Sequence, residues 1–68
     1  MVTIFGKDTC PYTRAARDHY LAEGIPFEYV NVRKNPVELG RMLEFSGGLR
    51  EVPVIIADGK VTIGFGGT

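Results

Sequence analysis

Val2-Thr3-Ile4-Phe5-Gly6-Lys7-Asp8-Thr9-Cys10-Pro11-Tyr12-Thr13 carries a strand, a loop and the start of a helix in immediate succession. Val2 to Phe5 is a short run of β-branched and aromatic residues that stops at Gly6, as a buried strand does. Lys7 to Cys10 is polar and reads as a loop. Pro11 suits the first position of a helix, where its missing N–H would have no partner in any case. That helix is expected from Tyr12 to Glu23, with Ala15, Ala16, Tyr20 and Leu21 set among charged residues and Gly24 ending it.

Beyond this segment, Phe27, Tyr29, Val30 and Val32 predict a second strand. Asn35-Pro36-Val37-Glu38 has the form of a helix start, with Asn35 as cap, Pro36 in first position and Glu38 three residues after the cap. Leu39, Met42, Leu43 and Phe45 would form that helix's buried stripe, and Ser46-Gly47-Gly48 breaks it. Val52 to Ala57 is a third strand. Asp58-Gly59 is a strong hairpin signal, so Lys60 to Ile63 should return antiparallel beside it. The order is strand, helix, strand, helix, strand, strand. The first strand–helix–strand unit predicts a right-handed parallel crossover and the hairpin adds antiparallel strands. The expectation is a single α/β domain over residues 1–68, a mixed sheet with helices packed on it.

Size and composition bound the function. A chain of 68 residues buries only about 60% of its unfolded surface, so the core is thin. With 44% hydrophobic and 24% charged residues it falls in the globular class. Eight basic residues balance eight acidic ones, which removes the electrostatic argument for a nucleic-acid or acidic-membrane partner. The longest apolar runs are far too short to span a bilayer, and Val2 to Phe5 followed by Lys7 and Asp8 lacks the layout of a signal peptide. One cysteine cannot form an internal disulfide, which favours a reducing compartment, and the expected location is cytoplasmic.

A lone cysteine is more often a small buried residue than a reactive one, but the position of Cys10 changes that balance. A helix N-terminus or a nearby cation lowers a thiol pKa from about 8.5 to roughly 3.5–7.5. The unpaired N–H groups of Tyr12 and Thr13 would point at the sulfur. Lys7 can bring its ammonium near, and the Thr13 hydroxyl can donate a further hydrogen bond, although Thr13 could equally cap the helix start. His19, nine residues along the helix, lies too far away to serve as a base and is expected to be partly buried.

Lys7-Asp8-Thr9-Cys10-Pro11-Tyr12-Thr13 resembles the active-site loop of glutaredoxins, commonly Cys-Pro-Tyr-Cys, with threonine in place of the second cysteine. Val52-Pro53 resembles that family's Thr-Val-Pro segment, whose proline is cis, and Gly64 the start of its Gly-Gly-x-Asp turn. The resemblance covers nearly the whole chain. It implies a thioredoxin-like fold and thiol–disulfide exchange in which Cys10 takes glutathione from a mixed disulfide and a second glutathione releases it. Glutathione would be the co-substrate and glutathionylated or disulfide-containing proteins the partners. Because Thr13 replaces cysteine, only a monothiol route is open. Lys7, Tyr12, Arg50, Val52, Pro53 and Gly64 are the implied glutathione-binding residues. Val52 would offer its backbone to the extended tripeptide, and Arg50 would meet a carboxylate.

Three departures from the family stand out. Glu51 replaces the threonine before Val-Pro and places a negative charge beside the site. Gly66-Gly67-Thr68 replaces the acidic pair that would anchor the glutathione ammonium, though the turn amides could still bind a carboxylate. The chain also stops where the family's last helix would begin, which predicts an uncovered apolar face and self-association as a homodimer, or a fragment of a longer protein. No metal is expected. The alternatives to an oxidoreductase are a module sharing an iron–sulfur cluster or glutathione between subunits, and a redox-silent interaction domain. Pro11-Tyr12 differs from the Gly-Phe-Ser that follows the cysteine in cluster carriers.

Overall fold

The computed structural model describes residues 1–68. Its elements are β1 (Val2–Gly6), α1 (Pro11–Ala22), β2 (Phe27–Asn31), α2 (Pro36–Ser46), β3 (Val54–Ala57) and β4 (Lys60–Ile63). They form a four-stranded sheet in the order β2-β1-β3-β4. β1 runs parallel to β2, with Val2 opposite Phe27 and Gly6 opposite Asn31. β3 is antiparallel to β1, with Phe5 opposite Val54, and β4 is antiparallel to β3. This is the mixed sheet that the element order predicts.

Each helix begins and ends for a local reason. Cys10 is the N-cap residue of α1 in extended backbone, with Pro11 at the first helical position. The Arg14 N–H closes the first helical bond on the Cys10 carbonyl at 3.1 Å. At α2 the Asn35 side chain accepts from the Glu38 N–H at 3.4 Å, and Gly47 closes the helix in the left-handed conformation. The Glu38 carboxylate does not reach back to the cap; it pairs with Arg41 at 2.7 Å. Asp58 and Gly59 both have positive φ, as a two-residue hairpin of the right twist requires.

Strand alternation assigns one helix to each face. Val2, Ile4 and Ile55 pack with Ala16, and Tyr20 and Phe65 close over them. On the other face Phe5, Val32, Val52 and Val54 pack with Met42, flanked by Leu39 and Leu43. Cys10 belongs to this second cluster, so the loop that carries it is held by the core itself.

Four expectations need correction. The third strand starts at Val54 rather than Val52, because the ladder with β1 ends at the Phe5–Val54 pair and the Val52 carbonyl accepts from the Cys10 thiol instead; the Val52–Pro53 bond is cis. Phe45 is 44% exposed and only edges against Phe5, at 6.1 Å between ring centres, so Met42 carries the buried stripe of α2. His19 is exposed rather than partly buried, and its ring lies 5.2 Å from Tyr20 and 5.4 Å from Phe65. The α1 face is not an open apolar surface: Phe65 packs on its cluster, while β4 turns Thr62 and Lys60 to that side, opposite Ile55 and Ala57.

Helix and sheet approach each other closely at Gly6, the last residue of β1. A Cβ there would lie 2.4 Å from Thr13 Cγ2 and 2.6 Å from its Oγ1, and Thr13 is fully buried with nowhere to retreat. Gly6→Ala is therefore expected to destabilise the fold by about 1–3 kcal/mol through overpacking. In urea unfolding, the same substitution should cost much less in a Thr13→Ala background. Equal costs in both backgrounds would show that this contact does not set the helix–sheet distance.

Candidate active site

The site forms where the end of β1 meets the start of α1. Cys10 is only 5% exposed, and with the thiol protonated its Sγ donates to the Val52 carbonyl at 3.9 Å, a long contact appropriate to sulfur. Its own N–H is bound to the Lys7 carbonyl at 3.1 Å, which folds the loop tightly under the helix start. Burial opposes ionisation of the thiol. Against it act the Thr13 hydroxyl, the Thr13 and Tyr12 backbone N–H groups and the Lys7 charge. Together they outweigh burial and hold the thiol below its ordinary value.

The Thr13 hydroxyl connects the two protonation states. It is fully buried, and beside the protonated thiol it has no hydrogen-bond partner. Leaving such a group unsatisfied costs about 1–3 kcal/mol. Loss of the thiol proton turns the sulfur into the acceptor that this hydroxyl lacks. The threonine thus acts as a switchable donor, and it does not cap the helix.

A cleft of about 380 Å³ opens over the sulfur, with Lys7, Tyr12, Arg50, Glu51, Val52 and Thr68 in its walls. A second cleft of about 230 Å³ shares Lys7, Arg50 and Val52 and continues over Val32, Leu39 and Met42, with Arg33 at its rim. The Val52 N–H has no partner, and its C=O meets only the Cys10 thiol and is released when that thiol ionises, so both can serve an extended ligand beside the thiolate. The Tyr12 ring lies on Gly67, where a Cβ would sit 2.6 Å from the ring. Tyr12 is therefore a wall between the cleft and the C-terminal turn.

Lys7, Cys10, Tyr12, Arg50 and Val52 thus converge as the sequence suggests. Thr13 and Pro53 are fully buried behind them. Gly64 stands apart: its N–H is spent on the Pro53 carbonyl at 2.7 Å, and at φ +90° it shapes the turn after β4 instead of facing the cleft.

One group went unnoticed in the sequence. The Asp8 carboxylate accepts from the Tyr29 hydroxyl at 2.7 Å and lies near Arg17 at 3.8 Å and Lys34 at 4.0 Å. The Arg17 guanidinium stacks 4.0 Å over the Tyr29 ring. Burial, and then the Asp8 carboxylate, push the Tyr29 phenol up to about 12. The network ties the active-site loop to β2 and α1. It also occupies Arg17 and Lys34, while Lys7, Arg33 and Arg50, the cations lining the clefts, are in no ion pair. The pairing of positions 8 and 29 depends on the parallel register, which no local pattern announces. No group of three or more His, Cys, Asp or Glu side chains comes together that could hold a metal.

A mixed sheet with a lone thiol at the N-terminus of its first helix, facing the carbonyl before a cis-proline, defines a protein of the thioredoxin-like fold. The glutaredoxin family profile matches residues 2–62. The chain is 32% identical over 65 residues to an uncharacterised glutaredoxin-like 8.6 kDa protein in the rubredoxin operon of Clostridium pasteurianum, covering 96% of this chain and 85% of that one. Among solved structures, glutaredoxin (grx-1) from Archaeoglobus fulgidus superposes with a TM-score of 0.85 at 25% identity, over 94% of this chain and 74% of that one. The glutaredoxin-like protein NrdH-redoxin from Escherichia coli, described as having a thioredoxin-like activity profile, gives 0.79 at 31% identity, over 94% and 82%. The chain belongs to the glutaredoxin family.

Thr13→Val keeps the shape of the side chain but removes its donor, so thiolate formation becomes less favourable. At pH 7 the rate of Cys10 alkylation by iodoacetamide should fall roughly tenfold, the value of one hydrogen bond to a charged group. Thr13→Ser should retain most of the rate. A Val variant as fast as the parent would remove the hydroxyl from the account of thiolate stabilisation.

Proposed function

We propose that this protein is a monothiol, glutathione-dependent thiol–disulfide oxidoreductase acting through Cys10. The observation that carries the reading is the set of donors converging on one sulfur: two helix N–H groups, a buried hydroxyl and the Lys7 charge hold the thiol low. A silent interaction domain has no use for a thiol whose acidity is raised against the cost of burial.

The Cys10 thiolate attacks the glutathione sulfur of a protein–glutathione mixed disulfide. A Cys10–glutathione disulfide forms, the original S–S bond breaks, and the protein leaves as a thiolate that takes a proton from water. A second glutathione, as its thiolate, then attacks the glutathione sulfur held on Cys10. Glutathione disulfide leaves and the Cys10 thiolate returns. Across the cycle the protein mixed disulfide is reduced and two glutathione molecules are joined. The only cysteine in the chain is Cys10, so the resolving thiol must come from solution. This distinguishes the proposed cycle from an internal-disulfide route and makes the small thiol part of the mechanism.

Two features support glutathione as that thiol. The Val52 N–H, and its C=O once the Cys10 thiol has ionised, match an extended peptide, and Lys7 and Arg50, which are in no ion pair, match its carboxylates. Incubation with glutathione disulfide should give a single adduct on Cys10 by mass spectrometry, removed by further glutathione. Cys10→Ser should abolish both the adduct and deglutathionylation of a test peptide. Absence of the adduct on the parent protein would overturn the reading.

A further inference from the structure

Two of the departures from the family pattern meet in space. The Glu51 carboxylate accepts a hydrogen bond from the Thr68 hydroxyl at 3.4 Å across 17 positions of chain, and both residues line the cleft over Cys10. Glu51 is in no ion pair, although Lys7 and Arg50 line the same cleft. An unpaired carboxylate is therefore held at the C-terminal turn, while unpaired cations stand elsewhere in the walls. The N–H of Thr68 beside it has no backbone acceptor. A corner with a carboxylate and a free amide is complementary to an ammonium and a carboxylate borne on one carbon.

We propose that Glu51 is a specificity residue that receives the α-ammonium group of a zwitterionic thiol, in the position that Thr68 leaves without an acidic side chain. The inference rests on the glutathione-dependent reading and names the end of the tripeptide that this corner takes: the γ-glutamyl end, which carries an ammonium and a carboxylate on the same carbon. The negative charge beside the site thus selects the ligand, because the hydroxyl of Thr68 draws the carboxylate toward the turn.

The test compares two mixed-disulfide peptides, one carrying glutathione and the other its desamino analogue, which lacks only the α-amino group. The parent protein should deglutathionylate the first with kcat/KM about fivefold higher, the upper range for a solvent-exposed ion pair, and the difference should lie mainly in KM. Glu51→Gln should bring the two values together, and the double variant E51T/T68D, which moves the carboxylate onto the turn, should restore the preference. Equal values for the two peptides with the parent protein would overturn the assignment while leaving the glutathione-dependent reading intact. Failure to act on either peptide would overturn that reading and the assignment with it.

Discussion

The arrangement depends on one constraint: α1 must start directly above the end of β1, with its first N–H groups aimed at the sulfur of its own N-cap residue. Gly6 permits this by letting Thr13 pack against the strand at a distance no side chain would tolerate. Pro11 removes an N–H that would otherwise need a partner, and the turn from Cys10 N–H to Lys7 carbonyl fixes the loop. Once α1 sits there, the Thr13 hydroxyl is buried with no acceptor except a thiolate. Packing and acidity are therefore consequences of the same contact.

The second constraint comes from the far end of the chain. The Val52 carbonyl holds the protonated thiol, and the next carbonyl, that of Pro53, holds the N–H of Gly64. One short segment thus connects the reactive sulfur to the C-terminal turn, with Tyr12 lying on Gly67 from the other side. The cleft is small because the protein is small, and its walls are drawn from three separated stretches of sequence.

Much of this was legible in the residues alone, for physical reasons that differ from place to place. Pro11, Asn35, Gly47 and the Asp58-Gly59 pair act locally, so caps and turns could be placed from sequence. Val52 to Ala57 looked like one strand because all its side chains are apolar or small; the ladder with β1 begins only at Val54, and Val52 instead meets the Cys10 thiol. Lys7, Cys10 and Thr13 could be grouped because they lie within one loop and one helical turn. The tie between Asp8 and Tyr29 and that between Glu51 and Thr68 could not. Each joins residues that only the sheet register or the final turn brings together. Glu51 shows the consequence: its charge was legible, but the direction it faces was not.

The central claim is that the fold makes the Cys10 thiol acidic despite burying it. A titration of Cys10 followed by the 13C chemical shift of its Cβ, in the intact reduced protein, tests this most directly. The account predicts a single transition with a midpoint below the free-thiol value of about 8.5. A midpoint at or above about 8.5 would mean that burial wins over the helix N–H groups, the Thr13 hydroxyl and Lys7, and would contradict the account.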